Sequence, residues 1–132
     1  MISPSPLRLN LIRACFLLLV VGLFIQIVPD LFGPAASMSA MAGVVVAMLS
    51  ALAILSIVGL FSPIKMLPLM LFEMLWKLLW TCSVALPHFL AGTITEELGE
   101  LMFAVAFVIP FVFIFPWRFW TTEIRNSFVS WR

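Results

Sequence analysis

The sequence predicts an all-α fold, a four-transmembrane-helix bundle that forms a single integral membrane domain over residues 1–132. Of these residues, 64% are hydrophobic and 10% are charged. Soluble domains carry roughly 25% charged residues, so the chain has too little polar surface to cover a water-soluble globule of its size. The apolar residues also fall into four long stretches separated by short polar or proline-containing segments. A lipid bilayer is therefore the expected surrounding of the chain.

The first apolar stretch covers about residues 7–28 and is followed by Pro29, which interrupts a helix. At roughly 1.5 Å per residue the stretch is about 33 Å long, enough to cross the hydrocarbon core. Arg8 and Arg13 ahead of an apolar run are also typical of a signal peptide. Because this run is longer than the usual apolar region of such a peptide, we expect an uncleaved first span.

The second stretch, about residues 38–61, contains no charged residue. Small side chains recur in it at intervals of four, namely at Ser39, Gly43, Ala47 and Ala51. This spacing places them on one helical face, and small residues let membrane helices approach closely. The pattern predicts a helix-packing face, although small residues are also simply common in membrane helices.

The third and fourth stretches cover about residues 66–90 and 98–115. A short connection precedes the third, which predicts an antiparallel hairpin with the second. Pro68 lies in the first turn of the third, where a missing amide donor costs little. Pro110 is predicted to kink the fourth, and Pro116 to end it.

The last segment, residues 116–132, combines aromatic and basic side chains. They are Trp117, Phe119, Trp120, Phe128 and Trp131, with Arg118, Arg125 and Arg132. Aromatic rings favour the headgroup layer, and arginine attracts anionic lipid. We therefore expect a short interfacial C-terminal segment that lies on the membrane.

The basic residues predict the orientation of the chain in the membrane. Six of the seven fall on one side of a four-span topology, at Arg8, Arg13, Lys65, Arg118, Arg125 and Arg132. The loops around Asp30 and around Glu96 and Glu97 contain no lysine or arginine. Because cytoplasmic loops are enriched in these residues, we expect both termini to be cytoplasmic (N-in/C-in). A C-terminal reporter that is active only in the periplasm would contradict this expectation.

Glu73 and Lys77 are the charged residues of the third predicted span. They are four positions apart with the acid first, the order in which a helix pairs the two charges most favourably. Counted from residue 66 at 1.5 Å per residue, Glu73 lies roughly 10 Å and Lys77 roughly 16 Å into the helix. Lys77 is therefore near the bilayer centre, where a lone charge costs about 2.5 kcal/mol or more.

Two interpretations of this pair stay open. In the first, Glu73 and Lys77 neutralise each other and fix the rotation of the third helix. In the second, they line a polar cavity in which Lys77 orients an anionic or quinone-like headgroup or Glu73 passes a proton. Trp76 and Trp80 could wall a flat ligand there, or pack as tryptophan usually does. Arg13 could reach Glu73, but its shallow depth favours snorkelling to the headgroups.

Several other classes of function are not indicated. The basic residues are scattered and the net charge is +1, which argues against a nucleic-acid partner. Cys15 and Cys82 fall in different stretches at opposite predicted depths, so we expect no disulfide between them. The single histidine, His88, does not make a metal site, and no nucleophile–histidine–acid constellation is visible. We predict no catalytic residue, no metal and no cofactor.

Residues 51–72, ALAILSIVGLFSPIKMLPLMLF, resemble the second hairpin of DoxX-like bacterial membrane proteins. In that family an apolar helix ends in a Gly-Leu-Phe or Gly-Leu-Leu turn, and a basic residue precedes the next span. The resemblance covers about a sixth of the chain, and Glu73, Lys77 and the tail depart from the pattern. It implies a small subunit of the bacterial inner (plasma) membrane, which in some relatives is associated with a quinone-linked oxidoreductase.

These observations lead to two expectations of function. The first is an accessory or assembly subunit of a membrane complex, with the lipid bilayer and a membrane protein partner or a homo-oligomer as its contacts. The alternative is a small four-helix binding or transport bundle for an amphipathic or quinone-like ligand or a lipid, centred on Glu73 and Lys77. A strictly monomeric particle after gentle extraction would count against the first.

Overall fold

The structure, a computed structural model, describes residues 4–128. Every regular element in these residues is helical. In chain order the α-helices are α1 (Pro6–Gln26), α2 (Val28–Leu31), α3 (Ala40–Phe61), α4 (Leu67–Trp80), α5 (Leu86–Ala91), α6 (Glu96–Ala106), α7 (Ile109–Ile114) and α8 (Trp117–Ser127). A 3₁₀ turn, Pro34–Ser37, precedes α3, and a π-helical turn, Thr81–Ala85, joins α4 to α5. Trp131 and Arg132 of the predicted tail lie outside the described residues.

Four helical segments in the described part of the chain are long and apolar enough to cross a membrane. They are Pro6–Gln26, Ala40–Phe61, Leu67–Ala91 and Glu96–Ile114. Each begins and ends within two residues of a stretch predicted from the sequence. The all-α fold with four candidate membrane spans is therefore confirmed.

Side-chain caps explain where three of these spans begin. The hydroxyl oxygens of Ser5, Ser39 and Thr95 accept hydrogen bonds from backbone amides three residues later, at 3.2, 3.2 and 3.1 Å. Such caps satisfy amides that have no partner inside the helix. Ser39, which the sequence placed on a helix-packing face, is therefore the N-cap of α3 and is exposed.

The connection after the first span contains more helix than Pro29 suggests. The α1 helix ends at Gln26, and Pro29 then lies in the first turn of α2. A proline costs little there, because the first amides of a helix lack intrahelical acceptors in any case. The 3₁₀ turn follows, so short helices occupy a segment in which the sequence predicted only a helix end.

Contacts divide the chain into two compact units. Unit 1 contains the described residues up to Leu69 and from Pro116 to Phe128, and unit 2 contains Met70–Phe115. In unit 1, α1 packs against α3. The closest approach involves Gly59, since a Cβ added there would lie 2.6 Å from the ring of Phe16. Phe16 is fully buried, so the side chain missing at Gly59 makes room for the aromatic ring.

The buried face of α3 differs from the one that the sequence suggested. Its small members are Ser50, Ala53, Ser56 and Gly59. Ala47 and Ala51 are exposed, and Gly43 is half-buried. A helix has several rows of residues, and the row that faces α1 lies beside the predicted one. Close packing of Gly43, Ala47 and Ala51 against a second protein stays a prediction.

In unit 2, the fourth span is interrupted near its middle. The α6 helix ends at Ala106 and α7 begins at Ile109. The interruption precedes Pro110, because a proline ring clashes with the carbonyl four residues before it. The helix stops at Ile114, and α8 begins directly after Pro116. At Pro110, where a kink was predicted, the structure has an interruption, and the predicted stop is found close to Pro116.

Candidate functional site

Three side chains of α4 form one closed cluster. The Nζ atom of Lys77 lies 2.6 Å from Oε1 of Glu73. The indole Nε1–H of Trp76 donates to Oε2 of the same carboxylate at 3.3 Å. Both carboxylate oxygens are therefore engaged by residues three and four positions later on the same helix. We refer to Glu73, Trp76 and Lys77 as the ion-pair cluster.

The ion-pair cluster is largely shielded from its surroundings. The side chain of Glu73 is 2% exposed and that of Lys77 is 13% exposed. The Lys77 ammonium also lies 5.7 Å from the centroid of the Trp76 ring, within the range of a cation–π interaction. Pairing and burial together reduce the cost of holding two charges at membrane depth. The two charges neutralise each other, and each carboxylate oxygen of Glu73 has a partner.

The sequence of α4 explains why Glu73 points inward. Leu67, Met70, Glu73 and Met74 are buried, and their spacing of three and four places them on one face of the helix. Leu75, Leu78 and Leu79 are exposed on the other side. Ionisable residues in membrane spans usually face the protein interior, and Glu73 follows that pattern.

The other two predicted ligand-binding residues are outside the cluster. Trp80 is half-buried at the end of α4. Arg13 is exposed, and its Nη1 donates to Oδ1 of Asn10 at 3.2 Å, one turn earlier on α1. Glu73 pairs with Lys77 and Trp76, which are both on α4. A role of Arg13 or Trp80 in a ligand site stays a prediction.

The π-helical turn that follows the ion-pair cluster was not predicted. In it the Leu86 amide donates to the Thr81 carbonyl, five residues back. The hydroxyls of Thr81 and Ser83 donate to the carbonyls of Lys77 and Leu79. Such back-bonding and a following proline both disturb the α-helical ladder. The sequence signal that could have revealed the turn was Pro87 following Thr81 and Ser83 on the same helix.

The polar residues beyond this turn make local contacts. Nδ1 of His88 and the hydroxyl of Thr93 are 2.7 Å apart. Glu96 and Glu97 lie in the first turn of α6, where a helix favours negative charge. Among residues 4–128, no group of three or more histidine, cysteine, aspartate or glutamate side chains could hold a metal ion. Cys15 is buried and Cys82 exposed, and both are free thiols.

Comparison with known proteins adds no relative to this description. No protein-family model, no curated protein and no solved structure matches the chain. The resemblance of residues 51–72 to DoxX-like proteins therefore stays a prediction. The fold and the site define a class only: residues 4–128 form a helical protein with four candidate membrane spans and an ion pair inside the third.

Proposed function

We propose that the chain is an accessory or assembly subunit of a membrane complex. The observation that supports this function is the exposure of the fourth span. Only 6% of its most apolar part is buried within the chain, against 22–33% in the other three spans. A helix with so few contacts of its own contributes little to the stability of the bundle, but it offers a long surface to another membrane protein.

The interruption of the fourth span leaves a backbone carbonyl that a partner protein could satisfy. The amides of Phe107 and Val108 bond three residues back, to Ala104 and Val105. Pro110 has no amide, so the Ala106 carbonyl lacks its α-helical donor. Backbone groups freed at membrane depth are tolerated where protein or water satisfies them, and not where they face lipid. A partner helix that covers the break would supply such a donor.

Exposed aromatic rings flank the interruption. Phe103 and Phe107 pack edge to face, with centroids 5.3 Å apart and planes at 81°. Both rings are exposed, as is Phe113 on α7. Aromatic residues are enriched at protein–protein interfaces, where a few of them carry most of the binding energy. The pair formed by Phe103 and Phe107 is the proposed anchor for the partner.

Site-specific crosslinking in the native membrane tests this proposal. A photoreactive amino acid replaces Phe103, and the matched control replaces Ile25 in the first span, because the two side chains are 70% and 69% exposed. We expect a discrete protein adduct from position 103 and lipid adducts from position 25. Lipid adducts alone from both positions would contradict the proposed subunit role.

The proposed setting is a bacterial inner (plasma) membrane with both termini in the cytoplasm. Its support is the distribution of the basic residues, six of which fall on one side of the four spans. Arg118 and Arg125 are exposed on α8, where they can contact anionic lipid. In this setting α8 lies along the cytoplasmic surface, and the first turn of α6, which contains Glu96 and Glu97, is outside.

A binding or transport bundle for an amphipathic or quinone-like ligand is the second candidate. The observation in its favour is Lys77, which is 13% exposed and uses one recorded ion pair while an ammonium has three donors. The engaged carboxylate of Glu73 gives less support to a proton relay. If this candidate holds, a quinone analogue should protect the folded protein against thermal unfolding, and replacing Lys77 by Met should abolish this protection. Unchanged protection would contradict it.

A further inference from the structure

The indole N–H of Trp80 is a hydrogen-bond donor that the chain leaves unused. The N–H of Trp76 donates within the ion-pair cluster, and the hydroxyls of Thr81 and Ser83 donate to carbonyls of α4. Within residues 4–128 the Trp80 nitrogen has no acceptor, and it is accessible from outside the chain. A tryptophan N–H that is removed from water usually has an acceptor. Another molecule would have to supply it here.

The carbonyl of Ala106 is the matching acceptor. The amides of Phe107 and Val108 bond three residues back, and Pro110 has no amide hydrogen. No backbone amide of the described residues donates to the Ala106 carbonyl, and Ala106 is exposed. The fourth span therefore presents an unused acceptor, just as the third presents an unused donor.

The donor and the acceptor lie at nearly the same depth in the membrane. Trp80 is one residue past the midpoint of the third span, Leu67–Ala91, and Ala106 is one residue past that of the fourth, Glu96–Ile114. Because consecutive spans cross in opposite directions, the two residues are about 3 Å apart in depth at 1.5 Å per residue. The Cα–Cβ bond of Trp80 tilts toward the Leu67 end, which brings the indole closer to the level of Ala106.

Lipid cannot satisfy either group at this depth. Acyl chains carry neither donors nor acceptors, so an unsatisfied N–H or C=O among them costs free energy. Interhelical hydrogen bonds are one of the forces that associate membrane helices. In unit 2, α6 packs against the π-helical turn, so the third and fourth spans form one helix pair that carries both groups. Such a pair can supply each group to a second copy of itself.

We infer that the partner of the third and fourth spans is a second copy of this chain. The Trp80 N–H of each copy donates to the Ala106 carbonyl of the other. A two-fold axis along the membrane normal preserves depth, so the same bond forms twice. The exposed rings of Phe103 and Phe107 lie in this interface. The inference rests on the proposed subunit role, because it names the protein that covers the break in the fourth span.

Self-association of the purified full chain in lipid vesicles tests the inference. Copies labelled at the N-terminus with a donor or an acceptor dye are diluted with lipid, and energy transfer gives the dissociation constant of the dimer. No other protein is present, so specific transfer comes from copies of this chain. We expect Trp80→Phe to raise the dissociation constant about tenfold, because two symmetry-related bonds are lost. A chain that is monomeric at every dilution would overturn the inference.

Two further variants isolate the donor. Trp117→Phe makes the same exchange on α8, outside the third and fourth spans, and should leave the dissociation constant unchanged. A tryptophan isostere at position 80 that has sulfur in place of the N–H keeps the shape of the ring, and it should weaken the dimer as much as Trp80→Phe does. If the isostere forms as tight a dimer as tryptophan, the role assigned to the N–H is wrong.

Pro110→Ala tests the acceptor. It restores an amide that can donate to Ala106 within the helix, so it should weaken the dimer by about the same factor as Trp80→Phe. Because both variants remove the same bond, their combination should be no weaker than either one alone. Losses that multiply in the double variant would overturn the pairing of these two groups.

The photocrosslink from position 103 separates this inference from the proposed function. In the native membrane, an adduct of twice the mass of the chain is the result expected for a second copy. An adduct with a different protein, with no dimer of the purified chain in vesicles, would overturn the inference and support the proposed function. Lipid adducts alone would overturn both.

Discussion

Glu73 and Lys77 show how a single pair of charges can be accommodated at membrane depth. The carboxylate has two hydrogen-bonded partners on its own helix, and the ammonium lies against an indole ring. Because each charge offsets the other, the pair as a unit costs less than either residue alone. The two charges are therefore tolerated as long as both members are present.

Removing one member of the pair should destabilise the protein. Lys77→Met leaves the buried Glu73 carboxylate without its cation, and we expect a loss of about 3 kcal/mol in the free energy of unfolding. Glu73→Gln should be similarly harmful, because it leaves the Lys77 ammonium unpaired. Thermal unfolding in detergent, with equal lipid content, measures both effects.

The double variant Glu73→Gln, Lys77→Met is the control for this prediction. It removes both charges, so its loss should be smaller than the sum of the two single losses. Additive losses would show that the residues do not act as a pair, and would contradict the structural reading of the ion-pair cluster.

Gly59 supports a second prediction at the residue scale. Gly59→Ala places a methyl group 2.6 Å from the Phe16 ring, and overpacking of this kind costs about 1–3 kcal/mol. Gly22→Ala is the matched control, because an added Cβ there meets nothing within 4 Å. We expect a lower unfolding temperature for Gly59→Ala only, and partial rescue by Phe16→Leu. Equal stability of the two alanine variants would contradict the packing of α1 on α3.

Residue spacing predicted some of these contacts and not others. The interval of four between Glu73 and Lys77 is a property of one helix, so the ion pair could be derived from the sequence. The contact of Gly59 with Phe16 joins two helices, and nothing in a single sequence fixes their rotation. For the same reason the sequence selected Ala47 and Ala51, whereas Ser50 and Ala53 are the buried positions.

Element boundaries were predictable where a residue type fixes them. Pro116 separates α7 from α8 as predicted, whereas the serine and threonine caps that begin α1, α3 and α6 were not predicted, although their residue types are typical of N-caps. The π-helical turn was missed because it lies within an apolar run of normal length. Its cause is the combination of Thr81, Ser83 and Pro87, which acts on individual backbone bonds and leaves the hydropathy pattern unchanged.

Pro110 gives the prediction for the fourth span. Pro110→Ala returns an amide that can donate to Ala106, so α6 and α7 should join into one helix. If a partner recognises the break, the amount of partner recovered with the protein should fall several-fold. Pro68→Ala is the control, since Pro68 lies in the first turn of α4, where a restored amide has no intrahelical acceptor. Equal recovery from both variants would contradict recognition at the break.

The α8 helix gives a prediction about lipid. Arg118→Gln with Arg125→Gln removes two exposed charges from the proposed interfacial face, each worth about 1 kcal/mol near an anionic surface. Native mass spectrometry should then show fewer anionic lipids retained per chain. Thr121→Ala and Asn126→Ala, which alter the same helix without changing its charge, should retain the usual number. Equal retention in both double variants would contradict the role of the arginines.

At the scale of the whole molecule, the class of protein was predictable and the arrangement was not. Hydrophobic length alone defines four spans, because a bilayer requires about 20 apolar residues for each crossing. The division into two units depends on contacts between helices, which hydropathy does not encode. The exposure of the fourth span likewise appears only once the helices have been placed.

The proposed function makes this chain part of a larger membrane assembly. The most direct test is the mass of the particle released by gentle, lipid-preserving extraction from the native membrane, measured by native mass spectrometry. We expect a particle that contains a second protein or several copies and therefore exceeds the 14.8 kDa of one chain. A particle of 14.8 kDa plus bound lipid, obtained under every gentle condition, would contradict it.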